Sequence, residues 1–412
     1  MKSSWQIKPY SPRPKSEHFI LMHQEDEVLS FSVCFDNSAI HVKEKLAHFD
    51  KAPYGMNEEG ASLDTILRSF FYRRTIPNVR YGFKEILKAT GCKDAFSLSF
   101  QGHGLSLSNH YWYKRAGEKV LYKDINFFEN PWDDSFGRAL LKGDFAALSH
   151  CDLNVPDVVT PGWATKGWLY EDGPKLYKIG IDPEHSEEAL GEVLSSRCIR
   201  QMLGEDAALT YDLGFFEGKY VSISKPIINM DQDLVHLSQV LPHSLRELAF
   251  EKSVDRNAAK RFYELLAEYG MPNLYQHFVK LSCIRALCFL PDLHFDNVAL
   301  LHNFKTGDYS PAPFFDLAGS FGGTVRGKKI LADLNKGTYF IVYFLFGGLD
   351  PDWDYSWYDP KRLDGFENEI RDVLSKSDFY NEKLIENIVG VYKVQKEEID
   401  EHAAKQKEKT AV

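Results

Sequence analysis

The sequence predicts an α+β chain built as two lobes, with a further α+β region ahead of them. Three observations carry this. Residues 160–225 alternate short β-rich runs with one helical stretch, the pattern of a small antiparallel sheet with a single helix. Beyond about residue 235 the pattern is mainly helical. One loop and hairpin, residues 291–316, interrupts that helical part and carries polar groups at both of its ends.

Taken in order, residues 1 to about 18 are rich in Pro and Lys and are expected to be loosely held. Phe19 to Val42 alternates around Asp36-Asn37 as a β-hairpin does. Ser62 can cap a helix starting at Leu63, and Pro77 precedes a second, Tyr81 to Thr90, which Gly91 ends. Residues 96–150 hold many aromatics, including Tyr111-Trp112-Tyr113, Asn126-Phe127-Phe128 and Trp132. Core packing explains such a cluster more simply than a ligand cage does. Thr160 to Tyr170 reads as strand, small-residue loop, strand. After the Asp172-Gly173 turn, Lys175 to Ile179 reads as the paired strand. A helix follows from Ser186 to about Leu203, ended by Gly204, then strands Ala208–Leu213 and Lys219–Lys225 across Glu217-Gly218. These readings divide the chain into an N-terminal region 1–150 of unassigned role, a small lobe 151–234 and a helical lobe 235–412.

Composition narrows the function classes. The 412 residues are 44% hydrophobic and 26% charged, as in ordinary globular proteins. A net charge of −10 argues against a general nucleic-acid binder, so no direct nucleic-acid contact is expected. A local basic group can still hold phosphates. Six cysteines show no C-x-x-C spacing and no clustering with His, which argues against zinc. Cys283 and Cys288 fit buried free thiols and a reducing cytoplasm. The first 25 residues lack the apolar core of a signal peptide. The run Tyr339–Phe346 falls far short of the roughly 20 residues a membrane span needs, so no membrane partner is expected.

The chemistry concentrates in Pro291-Asp292-Leu293-His294-Phe295-Asp296-Asn297. Asp292, His294 and Asn297 share one loop. An apolar run, Val298 to Leu301, and a Lys305-Thr306-Gly307-Asp308 turn then lead to Pro313-Phe314-Phe315-Asp316. Phosphoryl transfer from ATP needs this inventory: a carboxylate for the acceptor proton, and an amide oxygen plus a carboxylate for Mg²⁺. Standing alone, the loop also fits a plain polar turn. The small lobe supplies the other half. Lys178 lies on the strand after the loop, and Glu192 lies fourteen residues on, within the helix, with Glu188 one turn earlier. A Lys–Glu pair of this kind holds an ammonium on nucleotide phosphates. Lys178 as a solvated strand residue and Glu188/Glu192 as a charged helix face are the plainer alternatives. Gly162 and Gly167 flank a loop whose backbone N–H groups can meet phosphate, with Thr160, Thr165 and Lys166 as added donors. A simple hairpin loop explains the glycines equally well. Ser224 and Lys225 open the connection between the lobes, where an adenine is expected to be read.

The order of elements is that of a protein-kinase-like fold, with an antiparallel-sheet small lobe and a helical large lobe. On Asp292-x-His294-x-x-Asn297, Pro313-Phe314-Phe315-Asp316, Ser320 and Leu176-Tyr177-Lys178 with its Glu-bearing helix, residues 150–400 resemble the HipA-like bacterial Ser/Thr kinases. That group includes toxin kinases of toxin–antitoxin pairs. The resemblance implies Asp292 as catalytic base, with His294 beside it in the catalytic loop, Asn297 and Asp316 as Mg²⁺ ligands, and Lys178 on ATP phosphate. It implies a protein or small-molecule hydroxyl acceptor and an antitoxin-like protein partner. The loop at 160–167 departs from the family's Gly-Ala-Gln-x-Lys run, and Pro226 stands where an adenine-contacting residue is expected. A small-molecule or peptide phosphotransferase and a non-catalytic binding module are the alternative functions. Lys178→Met is expected to reduce transfer with little cost to the fold, on the premise that a half-exposed strand lysine adds little stability.

Overall fold

The computed structural model describes residues 16–57, 60, 62–181, 187–240, 272–290, 295–323 and 349–410. The chain divides into two compact units. The first comprises residues up to Trp163 with Gly167–Pro174, and the second comprises Ala164–Lys166 with Lys175–Val412.

The first unit opens with strands β1 (Ser16–His23), β2 (Asp26–Cys34) and β3 (Ala39–Lys45), joined later by β4 (Tyr111–Arg115). They form an antiparallel sheet in the order β3-β2-β1-β4. The β2–β3 turn falls at Asp36-Asn37, and the Asn37 side chain accepts the Ala39 N–H at 3.1 Å. Helix α1 (Leu63–Arg73) begins at Ser62, whose side chain accepts the Thr65 N–H. Helix α2 (Phe83–Thr90) starts two residues later than the sequence suggests and ends on left-handed Gly91. The aromatics are core: Phe19, Phe31, Phe71, Phe96, Phe100 and Tyr113 belong to one buried cluster. Short helices α3 (Ala95–Ser99), α4 (Tyr122–Ile125) and α5 (Ser135–Lys142) complete the unit. It runs past residue 150 because Leu148, Val155, Val158 and Val159 share a core with Ile86, Phe136 and Leu140.

Of the two strands expected within Thr160–Tyr170 only the second forms, as β5 (Thr165–Tyr170); residues 160–164 are loop, entered from a 3-10 turn at Pro156–Val159. Proline at the first position of the turn sets a helical φ and removes a ladder donor, so the apolar Val-Val pair packs without extending. Gly167 answers a packing demand: a Cβ there would lie 2.4 Å from the Gly137 carbonyl oxygen on α5. Arg80 holds the loop from within the same unit. Its Nε and Nη2 donate to the Gly162 carbonyl at 2.9 and 2.6 Å, and Nη2 donates to the Thr160 carbonyl at 2.7 Å.

Asp157, 1% exposed, accepts the Trp168 N–H on Oδ1 at 2.8 Å, while its Oδ2 has no hydrogen-bond partner among the described residues. Burial outweighs that bond and the nearby Arg80 charge, and the carboxyl is pushed up from 3.8 to about 7. A carboxyl raised on folding binds its proton more tightly in the folded state. Its contribution is therefore complete below about pH 4 and is lost as the pH rises through about 7, on the order of 4 kcal/mol. Asp157→Asn keeps an acceptor for Trp168 and cannot ionise. The variant should gain stability relative to wild type between pH 5 and 8, as followed by denaturant unfolding at both values; a difference independent of pH would contradict the raised carboxyl.

The second unit holds strand β6 (Pro174–Gly180), helix α6 (Glu188–Leu203), and strands β7 (Asp212–Phe216) and β8 (Lys219–Ser224). β8 is antiparallel to both β6 and β7 and lies between them. The strand expected from Ala208 begins only at Asp212. Residues 207–209 instead make a parallel bridge with Phe314, whose N–H donates to the Ala207 carbonyl and whose carbonyl accepts the Leu209 N–H, both at 2.9 Å. The hairpin of β10 (Ala299–Asn303) and β11 (Asp308–Pro311) is joined by β9 (Gln232–His236), giving the order β11-β10-β9. Helices Pro272–Cys288, Phe366–Leu374 and Glu382–Thr410 share one large apolar core with α6. All six cysteines are free, and Cys198, Cys283 and Cys288 are buried. Among the described residues no helix is long and apolar enough to cross a membrane.

Candidate active site

Antiparallel pairing places Lys178 on β6 opposite Ser222 on β8. Helix α6 presents Glu192 to the same point. Lys178 Nζ donates to Glu192 Oε1 at 2.9 Å and also to Asp316 Oδ1. Glu192 Oε1 accepts the Leu317 N–H as well, at 3.2 Å, and Oε2 accepts the Ser222 hydroxyl at 2.5 Å. Lys178 is only 6% exposed and Glu192 1%, while the Asp316 side chain keeps 35% of its surface open. Lys178 is thus buried, and the premise of a half-exposed strand lysine is corrected: the apolar strands and α6 close over its stem. Burial by itself pushes its ammonium down. The Asp316 and Glu192 carboxylates outweigh that and hold it well above the ordinary lysine range.

Glu188 has a different task. Its Oε1 accepts the Ile181 N–H at 3.1 Å and so ties the end of β6 to the first turn of α6. Gly191 allows α6 to lie against the segment after Asp316, since a Cβ there would stand 2.3 Å from the Ser320 carbonyl oxygen. Ser195 donates to the Ser320 hydroxyl at 2.7 Å, and Ser320 donates to the Leu317 carbonyl at 2.7 Å.

Asp316 has a left-handed backbone, φ +53°, an uncommon conformation for a residue with a Cβ and one that clusters at functional positions. Asn297 lies half-buried two residues before β10. The Ala312 N–H donates to the Ala299 carbonyl, so the hairpin register runs on toward Asn297 and Asp316 and brings both to its open end. Helix Pro272–Cys288 terminates with the Leu290 N–H on the Arg285 carbonyl and Phe289 at φ +53°, its ring against Phe321 at 5.7 Å. That turn leads directly into residues 291–294, so Asp292 and His294 lie outside the described residues.

The remaining candidates divide. Ser224 ends β8, buried and opposite Leu176, and exposed Lys225 follows it. Thr165 lies on β5 rather than in a loop, and its buried hydroxyl has no hydrogen-bond partner among the described residues. Gly162 belongs to the first unit and is left-handed, φ +94°. Sequence reasoning missed Tyr211, Ser222, Ser195 and Gly191. Strand register sets Ser222 beside Lys178 and Glu192, helix phase turns Gly191 and Ser195 to Ser320, and the bridge to Phe314 brings Tyr211 to Asp316; none of these is written in local spacing.

Asp316 and Asn297 offer hard oxygen donors of the kind Mg²⁺ takes, beside an ammonium fixed by a second carboxylate. Among the described residues no group of three or more His, Cys, Asp or Glu forms a metal cluster by itself.

Glu192→Gln tests the share of charge in this arrangement. The amide nitrogen can face Ser222 while Oε1 still serves Lys178 and Leu317, and Asp316 still balances the ammonium. Unfolding free energy should fall by about 1 kcal/mol, one charge-assisted bond made neutral; a loss as large as that of removing the lysine would show that both carboxylates are indispensable.

The fold and these contacts define an α+β chain of protein-kinase-like type. The structure is similar to a chain of the Shewanella oneidensis MR-1 toxin–antitoxin complex of HipA, HipB and operator DNA. The TM-score is 0.50 at 12% identity, over 94% of this chain and 99% of that one. The Helicobacter pylori proinflammatory kinase CtkA matches at a TM-score of 0.45 and 15% identity, over 59% of this chain and 92% of its own. No protein-family model and no curated protein sequence matches.

Proposed function

We propose that this chain is an ATP- and Mg²⁺-dependent phosphotransferase, a HipA-like kinase acting on a protein Ser/Thr hydroxyl. The observation that carries the reading is the buried Lys178 ammonium held between Glu192 and Asp316. A lysine so fixed presents its charge at one point instead of sampling many rotamers, as binding of a nucleotide phosphate requires. Bound Mg²⁺ would supply charge neutralisation at the transferring phosphate. Asp316 and Asn297 would hold it, and Asp292 would take or orient the acceptor proton. Thr165, with an unused buried hydroxyl, and Ser224 and Lys225 after β8 are further nucleotide-facing candidates.

The HipA complex also contains HipB and operator DNA. By analogy an antitoxin-like protein is a reasonable partner to seek. The expectation of no nucleic-acid contact, drawn from net charge, finds no support in that comparison.

The test is calorimetric titration with a non-hydrolysable ATP analogue, with and without Mg²⁺, beside mass spectrometry after incubation with Mg²⁺–ATP and protein or small-molecule acceptors. Mg²⁺-dependent binding and an 80 Da increment on a protein hydroxyl are expected. Asp292→Asn should keep the binding and lose the increment. Modification of small acceptors alone would redirect the reading to a small-molecule phosphotransferase. No nucleotide binding at all would make the chain a non-catalytic module.

A further inference from the structure

Asp316 is held by more than its side chain. Its N–H donates to the Tyr211 hydroxyl oxygen at 3.1 Å, and the next amide, Leu317, donates to Glu192. Two consecutive N–H groups around a left-handed residue are therefore fixed by acceptors from two other segments. Tyr211, 7% exposed, reaches this place because the bridge between residues 207–209 and Phe314 sets the two stretches side by side.

We propose that Tyr211 is a positioning residue for the metal-facing carboxylate: by accepting the Asp316 amide, its hydroxyl holds Asp316 in the backbone conformation from which the side chain serves Lys178 and Mg²⁺. The metal half of this rests on the phosphotransferase reading; the amide half rests on the ligand-free protein. Burial, with the Glu192 carboxylate nearby, pushes the phenol well above its ordinary range, so it stays a neutral hydroxyl through physiological pH. A left-handed Asp has no intrinsic preference to remain so, and loss of one outside acceptor frees it to relax.

Tyr211→Phe removes one oxygen and keeps the ring. Two measurements decide. In the ligand-free full chain, hydrogen exchange at the Asp316 amide should quicken about five- to tenfold, as expected for one lost hydrogen bond. In titrations with the non-hydrolysable ATP analogue, the Mg²⁺ concentration for half-maximal binding should rise several-fold. Tyr392→Phe is the control: Tyr392 is fully buried and its hydroxyl has no hydrogen-bond partner among the described residues, so neither readout should move. Unchanged exchange in Tyr211→Phe overturns the proposal. Faster exchange with an unshifted Mg²⁺ dependence also overturns it, because Tyr211 is then structural only. Wild-type protein that binds no Mg²⁺–nucleotide overturns the phosphotransferase reading and the metal half with it, an outcome the wild-type titration alone identifies.

Discussion

Lys178→Met is expected to abolish nucleotide-dependent transfer and also to destabilise the second unit. The structural cause is the state of its two partners. Asp316 keeps about a third of its side-chain surface and can turn to water, whereas Glu192, 1% exposed, cannot. Removing the ammonium leaves a buried carboxylate with only a backbone amide and a serine hydroxyl to balance it. Breaking one partner of a buried pair typically costs roughly 3–5 kcal/mol. One result would identify the mechanism. The double variant Lys178→Met, Glu192→Gln should be less destabilised than the sum of the singles, since a neutral amide replaces the stranded charge. A Lys178→Met protein as stable as wild type at pH 8 would show that the ammonium does not neutralise Glu192.

Gly191→Ala is expected to destabilise, against the ordinary sign. Within a helix, Gly to Ala normally gains about 1 kcal/mol. Here the added methyl would meet the Ser320 carbonyl oxygen at 2.3 Å and the Ser320 hydroxyl at 3.1 Å, in a place where backbone faces backbone. Either α6 or the segment from Leu317 to Ser320 must move. Both are tied together by the Ser195–Ser320 and Glu192–Leu317 bonds. Overpacking of this kind costs roughly 1–3 kcal/mol. Because Glu192 is the next residue, nucleotide binding should weaken as well. Gly390→Ala, in helix Glu382–Thr410 with nothing within 4 Å of the new carbon, is the matched control and should be neutral or stabilising. Equal effects at the two glycines would remove the close approach of α6 as the explanation.

These two positions differ in how far the sequence revealed them. Lys178 and Glu192 were legible because their types, their spacing and the strand–helix pattern around them are local. The sequence also favoured Glu192 over Glu188 as the partner of Lys178, and the structure makes that pair; what it did not give was the separate task of Glu188. Glu188 is also buried, and only the phase of α6 decides that it receives the Ile181 amide. Gly191 reads in sequence as an ordinary weak point of a helix, and its purpose depends on a chain segment more than a hundred residues away.

The sequence by itself determined the element types where periodicity and punctuation agree: β6, α6 with its Gly204 end, β8, the β10–β11 hairpin and the aromatic core of the first unit. It failed where a local pattern had two outcomes. The start of Thr160–Tyr170 was read as a strand, but residues 160–164 are loop after the Pro156–Val159 turn; Ala208–Leu209 suits a strand, but Ala208 makes a lone bridge to Phe314. Tertiary structure alone decided the burial of Lys178, the left-handed turn at Asp316 and the approach of Tyr211. The physical reason is common to all three. Register, helix phase and crossover are set by which apolar faces can close on one another, and those contacts join residues far apart in the chain.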